Sequence, residues 1–345
     1  MTHDRDAQRT AREGPGRRTN NGRIPAMKLI RGLHNLHPSP GGCVATIGNF
    51  DGVHRGHQQI LRSLQRLGAE YGQPCTVISF EPDPREYFDA DRAPPRLTGL
   101  RDKVRLLAET GIDRFLCLPF DRRLALMDPE EFVREVLVDG LAVSHLLVGD
   151  DFRFGRDRLG DFAALEQAGA RYGFRVGQTP TVNHAGGRVS STRVRQCLAQ
   201  GDLAAVRDLL GRDYSISGRV IHGDRIGRTL GYPTANILFR RRPPLEGVLA
   251  AETRIEQGPP LPSVVSVGTR PTVNGKRPLL EVHLLDYSGS LYGSHLHVTF
   301  RHWLRGQVRF DDLDALRRQM DADAAQAAAW LDEHGLVSSA GGTGA

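Results

Sequence analysis

The ten residues Gly48-Asn49-Phe50-Asp51-Gly52-Val53-His54-Arg55-Gly56-His57 constrain this chain most, because they set two histidines around a glycine where a strand pattern gives way to a helical one. Residues 43–47, Cys-Val-Ala-Thr-Ile, read as a short buried strand, and Ile60, Leu61, Leu64 and Leu67 then recur at helical spacing. Glycines in such a turn let the backbone approach a ligand closely, and the first helical turn aims unpaired N–H groups at an anion. His54 and His57 add donors for a triphosphate, and a cationic site there would stabilise charge building on an α-phosphate and a departing pyrophosphate. An isolated His-x-Gly-His is equally well explained by a histidine that caps the helix or packs in a turn.

A second segment, Val189-Ser190-Ser191-Thr192-Arg193-Val194-Arg195, supplies hydroxyls at a predicted helix start followed by two arginines, a polyphosphate-binding composition. Alone it is also an ordinary capped helix with a solvated basic face. Between the two segments, strands are expected at 75–80, 115–118 and 145–148, and Val104, Leu107 and Ala108 mark a helix. Asp128-Pro129-Glu130-Glu131 opens another helix, with an N-cap, a proline at the first position and acidic residues in the first turn. This alternation predicts a doubly wound parallel sheet with helices on both faces. Such sheets bind ligands beyond the carboxyl ends of their strands, where residues 48–57 and 149–155 both lie.

The stretch Gly149-Asp150-Asp151-Phe152-Arg153-Phe154-Gly155 offers Phe152 and Phe154 as flat apolar surfaces beside Asp151 and Arg153. That mixture suits a planar heterocycle with polar edges, and it equally suits two aromatics that plug the sheet. Phe80-Glu81-Pro82-Asp83-Pro84 is likewise a stiff substrate loop or only a turn.

After Gly211 the pattern changes. Residues 214–221 alternate polar and apolar positions, and 263–267, 279–285 and 295–300 read as further strands without helices between them, so a small β-barrel is expected. A helix is expected from Asp312 to about His334. Residues 218–236 hold repeated glycines, and Thr234 and Asn236 set two oxygen ligands on one side of an extended segment, as a hard Mg²⁺ requires. A glycine-rich β-turn region fits the same composition. In 279–285, Glu281 and His283 point to one face and Leu280, Val282 and Leu284 to the core. Glu281 is so placed either as a proton acceptor for an attacking hydroxyl or as part of a solvated face. The chain contains no Gly-x-x-x-x-Gly-Lys-Ser/Thr and no protein-kinase catalytic loop, so any kinase chemistry uses another scaffold.

Composition agrees with an enzyme of two parts. A length of 345 residues, 39% hydrophobic, allows about two domains with proper cores. No apolar run approaches membrane-spanning length, and no leader suggests secretion, so a cytoplasmic location without a membrane partner is expected. Cys43, Cys75, Cys117 and Cys197 lack metal-ligand spacing and read as reduced packing residues. The net charge of +6 is spread along the chain and concentrated in the Arg-rich residues 1–26, so anionic small molecules explain it without nucleic acid. Residues 1–26 are expected to be a disordered tail, with Met27 a candidate start, and residues 337–345 a flexible end.

Taken in order, these motifs resemble the bacterial bifunctional riboflavin kinase/FAD synthetase family over nearly the whole folded chain. Residues 27–211 resemble its FMN adenylyltransferase domain and 212–336 its riboflavin kinase barrel, with further matches at Gly268-Thr269-Arg270-Pro271-Thr272 and Leu291-Tyr292-Gly293. The resemblance implies phosphorylation of riboflavin to FMN, then adenylylation of FMN to FAD with release of pyrophosphate. ATP and Mg²⁺ take part, and flavoproteins receive the products. It implies that His54, His57 and Arg195 serve adenylyl transfer and that Glu281 is the base for the riboflavin 5′-hydroxyl. Gly48, Phe50, Asp51, Gly56, Ser191 and Thr192 then bind ATP in the first site. Gly223, Arg228, Thr234 and Asn236 bind it in the second, Thr234 and Asn236 also holding the metal. Pro82, Asp151, Phe152 and Phe154 hold flavin. The chain departs from the family pattern at Asp83, where His is common, at Leu249, where Tyr is common, and at Gln307, where Glu is common. Two rival readings are an adenylyltransferase with a non-catalytic barrel and a flavin- or RNA-binding protein without catalysis. The intact Pro233-Thr234-Ala235-Asn236 and Glu281 argue against the first, and the intact His54 and His57 against the second.

Overall fold

The computed structural model describes residues 27–38, 40–221, 234–239, 241–272 and 275–336. The expected tail and flexible end, together with Gly223 and Arg228, lie outside these residues.

Among the described residues, strands β1 (Lys28–Arg31), β2 (Cys43–Ile47), β3 (Cys75–Glu81), β4 (Arg114–Pro119), β5 (Val143–Gly149) and β6 (Arg175–Thr179) form one parallel sheet in the order β1-β4-β3-β2-β5-β6. Helices α1 (Arg55–Tyr71), α2 (Pro84–Phe88), α3 (Leu100–Glu109), α4 (Arg122–Leu126), α5 (Pro129–Phe132) and α6 (Phe162–Tyr172) lie among them. Alternate residues along the strands feed two apolar layers. Ala45, Ile47, Ile78 and Leu116 join Phe132, Val136 and Leu165 on one face, and Val44, Val77 and Phe115 join Leu61, Leu64 and Leu107 on the other. The expected N-cap of α5 is present, with Asp128 accepting from the Glu130 N–H, and π-helical turns carry the chain on through Gly140.

Chain order reverses between the neighbouring strands β2 and β5. This is the topological switch point, where a crevice opens beyond the carboxyl ends of a doubly wound sheet. The turn 48–54 follows β2 and the loop 150–155 follows β5, so the fold brings them side by side. A two-strand hairpin, β7 (Asn183–His184) and β8 (Gly187–Arg188), then leads to α7 (Ser191–Ala199), capped by Ser190 as expected, and α8 (Leu203–Leu210).

The second half is a closed antiparallel barrel in the order β10-β13-β12-β11-β14-β9, from β9 (Ser215–Ile221), β10 (Ala235–Leu238), β11 (Gly247–Ile255), β12 (Pro260–Thr272), β13 (Gly275–Leu284) and β14 (His295–Arg305). Helix α9 (Leu313–Glu333), capped by Asp312, packs outside it. The alternation test missed β11 for a physical reason. Leu249 and Ala251 face the barrel interior while Val248 and Ala250 meet Ala327 and Leu331 of α9, so both faces are buried and no polar residue marks the period. The two halves share apolar contacts: Val194, Leu198, Val206 and Leu209 of α7 and α8, with Leu97, join Tyr214, Ile216 and Phe300 in one cluster.

Leu331 is fully buried where α9 closes over β11. Leu331→Ala is therefore expected to cost about 2–5 kcal/mol, read as a lower urea midpoint of the barrel's transition; an unchanged midpoint would mean that the helix is not part of the barrel's core.

Candidate active sites

The first candidate site is the crevice at the switch point, a cavity of about 1040 Å³. Gly48, Phe50, Asp51, His54, Gly56, His57, Asp151, Phe152, Phe154, Ser191, Thr192 and Arg195 all line it, so three segments distant in sequence converge there. Pro82 does not line it; Asp83 and Pro84 do, with the Asp83 carboxylate capping α2 through the Arg85 N–H at 2.9 Å.

His54 occupies the N-cap of α1, where its Nδ1 accepts from the His57 N–H at 3.3 Å. In the neutral ring this leaves the proton on Nε2, which is then a donor. The two imidazoles stack with centroids 3.6 Å apart, and His57 Nδ1 is buried without a hydrogen-bond partner among the described residues. Burial draws the His54 pKa down to about 4, outweighing the pull of Asp51, and burial with the neighbouring His54 holds His57 well below the usual range. Burial therefore holds both rings toward the uncharged form at neutral pH, each with one N–H to donate. The glycine between them leaves room for the His54 ring, because a Cβ at Gly56 would lie 3.1 Å from that ring and make it shift by a few tenths of an ångström.

Asp51 reaches the cavity wall, but protein donors occupy its carboxylate. The N–H groups of Leu97 and Thr98 donate to it at 3.1 and 2.9 Å, Thr98 Oγ1 donates at 3.1 Å, and Arg195 forms an ion pair with it. Arg195 also donates from Nε to the Pro95 carbonyl at 2.6 Å, and Ser191 Oγ donates to the Asp51 carbonyl at 2.9 Å. The aromatics divide. Phe154 is buried and packs on the core residue Phe132, so the plug reading describes it well, whereas Phe152 stacks on it with centroids 5.7 Å apart and is only partly buried.

Sequence reasoning missed Arg188, which lines the cavity beside Val189 and Ser190 and pairs with Asp150 at 3.0 Å and Asp151 at 3.4 Å. It sits on the short hairpin β7–β8, whose two-residue strands carry no periodicity. Arg193, three residues after the Ser190 cap, holds that hairpin by donating to the carbonyls of His184 and Gly187 at 2.7 and 3.0 Å. A second aromatic group lines the same cavity: Phe80 belongs to the stretch 80–84 read as a substrate loop or a turn, whereas Phe88 and Phe120 were missed because single aromatics at strand and helix ends have no spacing signal.

The second candidate site lies on the outer face of the barrel. Leu280, Val282 and Leu284 are buried inside, so Glu281 and His283 face outward as expected. Register sets Asn236 of β10 directly across from Glu281 of β13, which also faces Ser266 of β12. Paired residues of antiparallel strands share a face, so the three form one row. Asn236 is buried, yet its Oδ1 has no hydrogen-bond partner among the described residues. Thr234 lies two residues before it on the same extended segment. Gln307 joins this row indirectly: its Nε2 donates to Ser266 Oγ and to the Val267 carbonyl, both at 3.0 Å.

Comparison with known proteins places both sites in one family. Residues 36–193 match the family described as FAD synthetase and residues 210–331 the one described as riboflavin kinase. The chain is 52% identical to the bifunctional riboflavin kinase/FMN adenylyltransferase of Escherichia coli K12 over 299 residues, covering 86% of this chain and 96% of that protein. It is 52% identical to the protein of the same name from Pseudomonas fluorescens, covering 88% of this chain and 97% of that protein. A crystal structure described as a macrolide-efflux protein from Streptococcus pneumoniae superposes with a TM-score of 0.73 at 27% identity, covering 88% of this chain and 99% of that one. Among the described residues no helix is long and apolar enough to cross a membrane. With both family matches in order on one chain and relatives matched over nearly their full length, the chain belongs to the family of bifunctional riboflavin kinase/FMN adenylyltransferases.

Proposed function

We propose that residues 212–336 phosphorylate riboflavin to FMN and residues 27–211 adenylylate FMN to FAD, each at its own ATP site. The observation that carries this reading is spatial segregation. The turns at 48–57 and 149–155 and the start of α7 converge on one cavity beyond a parallel sheet, whereas Asn236 and Glu281 pair across β10 and β13 on the outer face of a separate barrel. Both reactions consume ATP, yet they need different groups. Phosphorylation needs a base for a hydroxyl, and adenylyl transfer needs donors for a departing pyrophosphate.

In the first site an FMN phosphate oxygen attacks the α-phosphorus of ATP, the bond to the β-phosphate breaks, and pyrophosphate leaves. His54 and His57 donate hydrogen bonds to the phosphates from the start of α1. Arg195, oriented by Asp51, and Thr192 stand on the opposite wall, and Ser191 holds the turn. Gly48, Phe50 and Gly56 shape the turn against the nucleotide, while Phe152, Phe154 and Asp151 form the flavin side. In the second site Glu281 takes the proton of the riboflavin 5′-hydroxyl as that oxygen attacks the γ-phosphorus of ATP and ADP leaves. The buried, unpartnered Asn236 Oδ1 fits a hard cation, with Thr234 as the second oxygen. Bound Mg²⁺ supplies neutralisation of the β- and γ-phosphate oxygens. The same reading includes Gly223 and Arg228 in that ATP site, a cytoplasmic location suited to the free cysteines, and flavoproteins as recipients of the products.

The two chemistries are expected to separate by single substitutions, assayed by resolving riboflavin, FMN and FAD. His57→Ala removes a donor and lowers FAD formation about 10²–10³-fold while FMN formation continues. Glu281→Gln removes the base and lowers FMN formation about 10²–10⁴-fold while supplied FMN still becomes FAD. Loss of both reactions from either change in a folded protein would refute the division.

Protonation provides an independent check. A histidine in an unfolded or solvated setting titrates near 6.5, whereas buried His54 titrates at about 4, so at about pH 6 it is neutral in the free site. A polyphosphate beside it favours the charged form. Binding of a Mg²⁺-complexed, non-hydrolysable ATP analogue to Glu281→Gln protein is expected to take up protons near pH 6 and none near pH 8.5, read from calorimetry in buffers of different ionisation enthalpy. Equal proton exchange at both values would contradict protonation of His54 beside the bound phosphates.

A further inference from the structure

The turn that carries His54 is held in an unfavourable backbone. Phe50, Gly52 and Val53 have φ of 48°, 84° and 40°, and a β-branched valine in the left-handed region is a genuine outlier. Such conformations persist only where the surroundings over-determine them, and here the restraints can be enumerated. From the N-terminal half, Thr98 Oγ1 accepts from the Gly52 N–H at 3.1 Å, Ser191 Oγ donates to the Asp51 carbonyl at 2.9 Å, and Gln58 Nε2 donates to the Val53 carbonyl at 2.9 Å. The Asp51 carboxylate adds its bonds to Leu97, Thr98 and Arg195, and a further restraint comes from the junction between the halves. Arg212 donates from Nη2 to the Gly52 carbonyl at 2.6 Å and from Nη1 to the Val53 carbonyl at 3.2 Å.

Arg212 is an unusual choice for this task. Its guanidinium also reaches the Leu210 carbonyl at 3.4 Å and forms no ion pair with a carboxylate among the described residues, so its hydrogen bonds under the turn go to carbonyl oxygens while Glu109 and Asp102 act on it only at longer range. Burial, reinforced by Arg105, draws its pKa down to about 10. Two residues later the chain is fixed in the barrel: the Tyr214 ring stacks on Phe300 with centroids 5.7 Å apart, and its hydroxyl donates to the Leu97 carbonyl at 3.0 Å. Arg212 thus extends from a segment anchored by the kinase barrel to the two carbonyls immediately before His54.

We infer that Arg212 is a positioning residue for adenylyl transfer: its two-pronged guanidinium clamps the Gly52 and Val53 carbonyls and thereby fixes the N-terminus of α1 with His54 and His57. The inference rests on the assignment of adenylyl transfer to this cavity. Arg212 lies in the part of the chain assigned to the other reaction, and it touches neither reacting group. Losing the clamp lets the turn relax toward ordinary backbone angles and displaces both histidines, and a misplacement of about 1 Å costs about 10²-fold in rate.

The test uses the full chain with supplied FMN and Mg-ATP, and riboflavin phosphorylation by the same preparation reports the folded barrel. Arg212→Met is expected to lower kcat for FAD formation about 10²-fold, with a smaller change in KM for ATP and an unchanged kcat for FMN formation. Arg212→Lys keeps the charge but cannot span two carbonyls, and it is expected to stay close to the Met variant. Wild-type FAD formation by Arg212→Met, equal losses in both reactions, or full recovery by Arg212→Lys would each overturn the clamp. His57→Ala, run in parallel, separates the two levels: unimpaired FAD formation in that variant would fault the site assignment itself, whereas its loss beside a wild-type Arg212→Met faults only the clamp.

Discussion

The buried ion pair between Asp51 and Arg195 is the interaction on which the arrangement of this molecule turns. Its carboxylate, in the turn after β2, accepts from Leu97 and Thr98 of the segment 95–98 and from Arg195 of α7, so it ties three segments distant in sequence together. A buried carboxylate with this many donors is fully compensated, whereas removal of one partner of such a pair typically costs about 3–5 kcal/mol, because the other charge is stranded. The pair therefore specifies geometry more than it adds stability. It fixes part of the lining of the cavity that also holds His54 and His57, and it fixes Leu97, whose side chain enters the apolar cluster shared with the barrel.

This construction explains how one chain can carry two ATP-consuming reactions without mixing them. The sheet presents loops at its switch point, a concave place suited to enclosing a nucleotide and a flavin. The barrel presents a row across β10, β13 and β12, a flatter place where Asn236, Glu281 and Ser266 are spaced by strand register. The halves touch through polar contacts, including Ser217 Oγ donating to the Asp102 carboxylate at 2.8 Å and the Tyr214 hydroxyl donating to the Leu97 carbonyl at 3.0 Å. Such contacts transmit position without moving chemical groups from one site to the other.

Much of this was legible in the sequence, for reasons that differ by element. The parallel sheet was readable because its short apolar strands alternate with amphipathic helices, and the caps at Asp128, Ser190 and Asp312 were readable because capping is local chemistry. The outward face of Glu281 followed from period-two alternation. β11 was not readable, since α9 buries its second face, and neither were the roles of Arg188 and Arg212, which depend on partners more than a hundred residues away or on a hairpin without periodicity. Charge state was also beyond the sequence: burial shifts His54 and His57 toward the neutral ring, which the spacing of the motif does not show.

The central claim is that two separate sites, linked only by a diffusing FMN, convert riboflavin to FAD. It is tested most directly by mixing His57→Ala and Glu281→Gln proteins, each unable to complete the sequence, with riboflavin and Mg-ATP. The account predicts that the mixture forms FAD from riboflavin, because one protein supplies FMN and the other consumes it. A mixture that makes no more FAD than either variant alone, under conditions where free FMN accumulates, would contradict it.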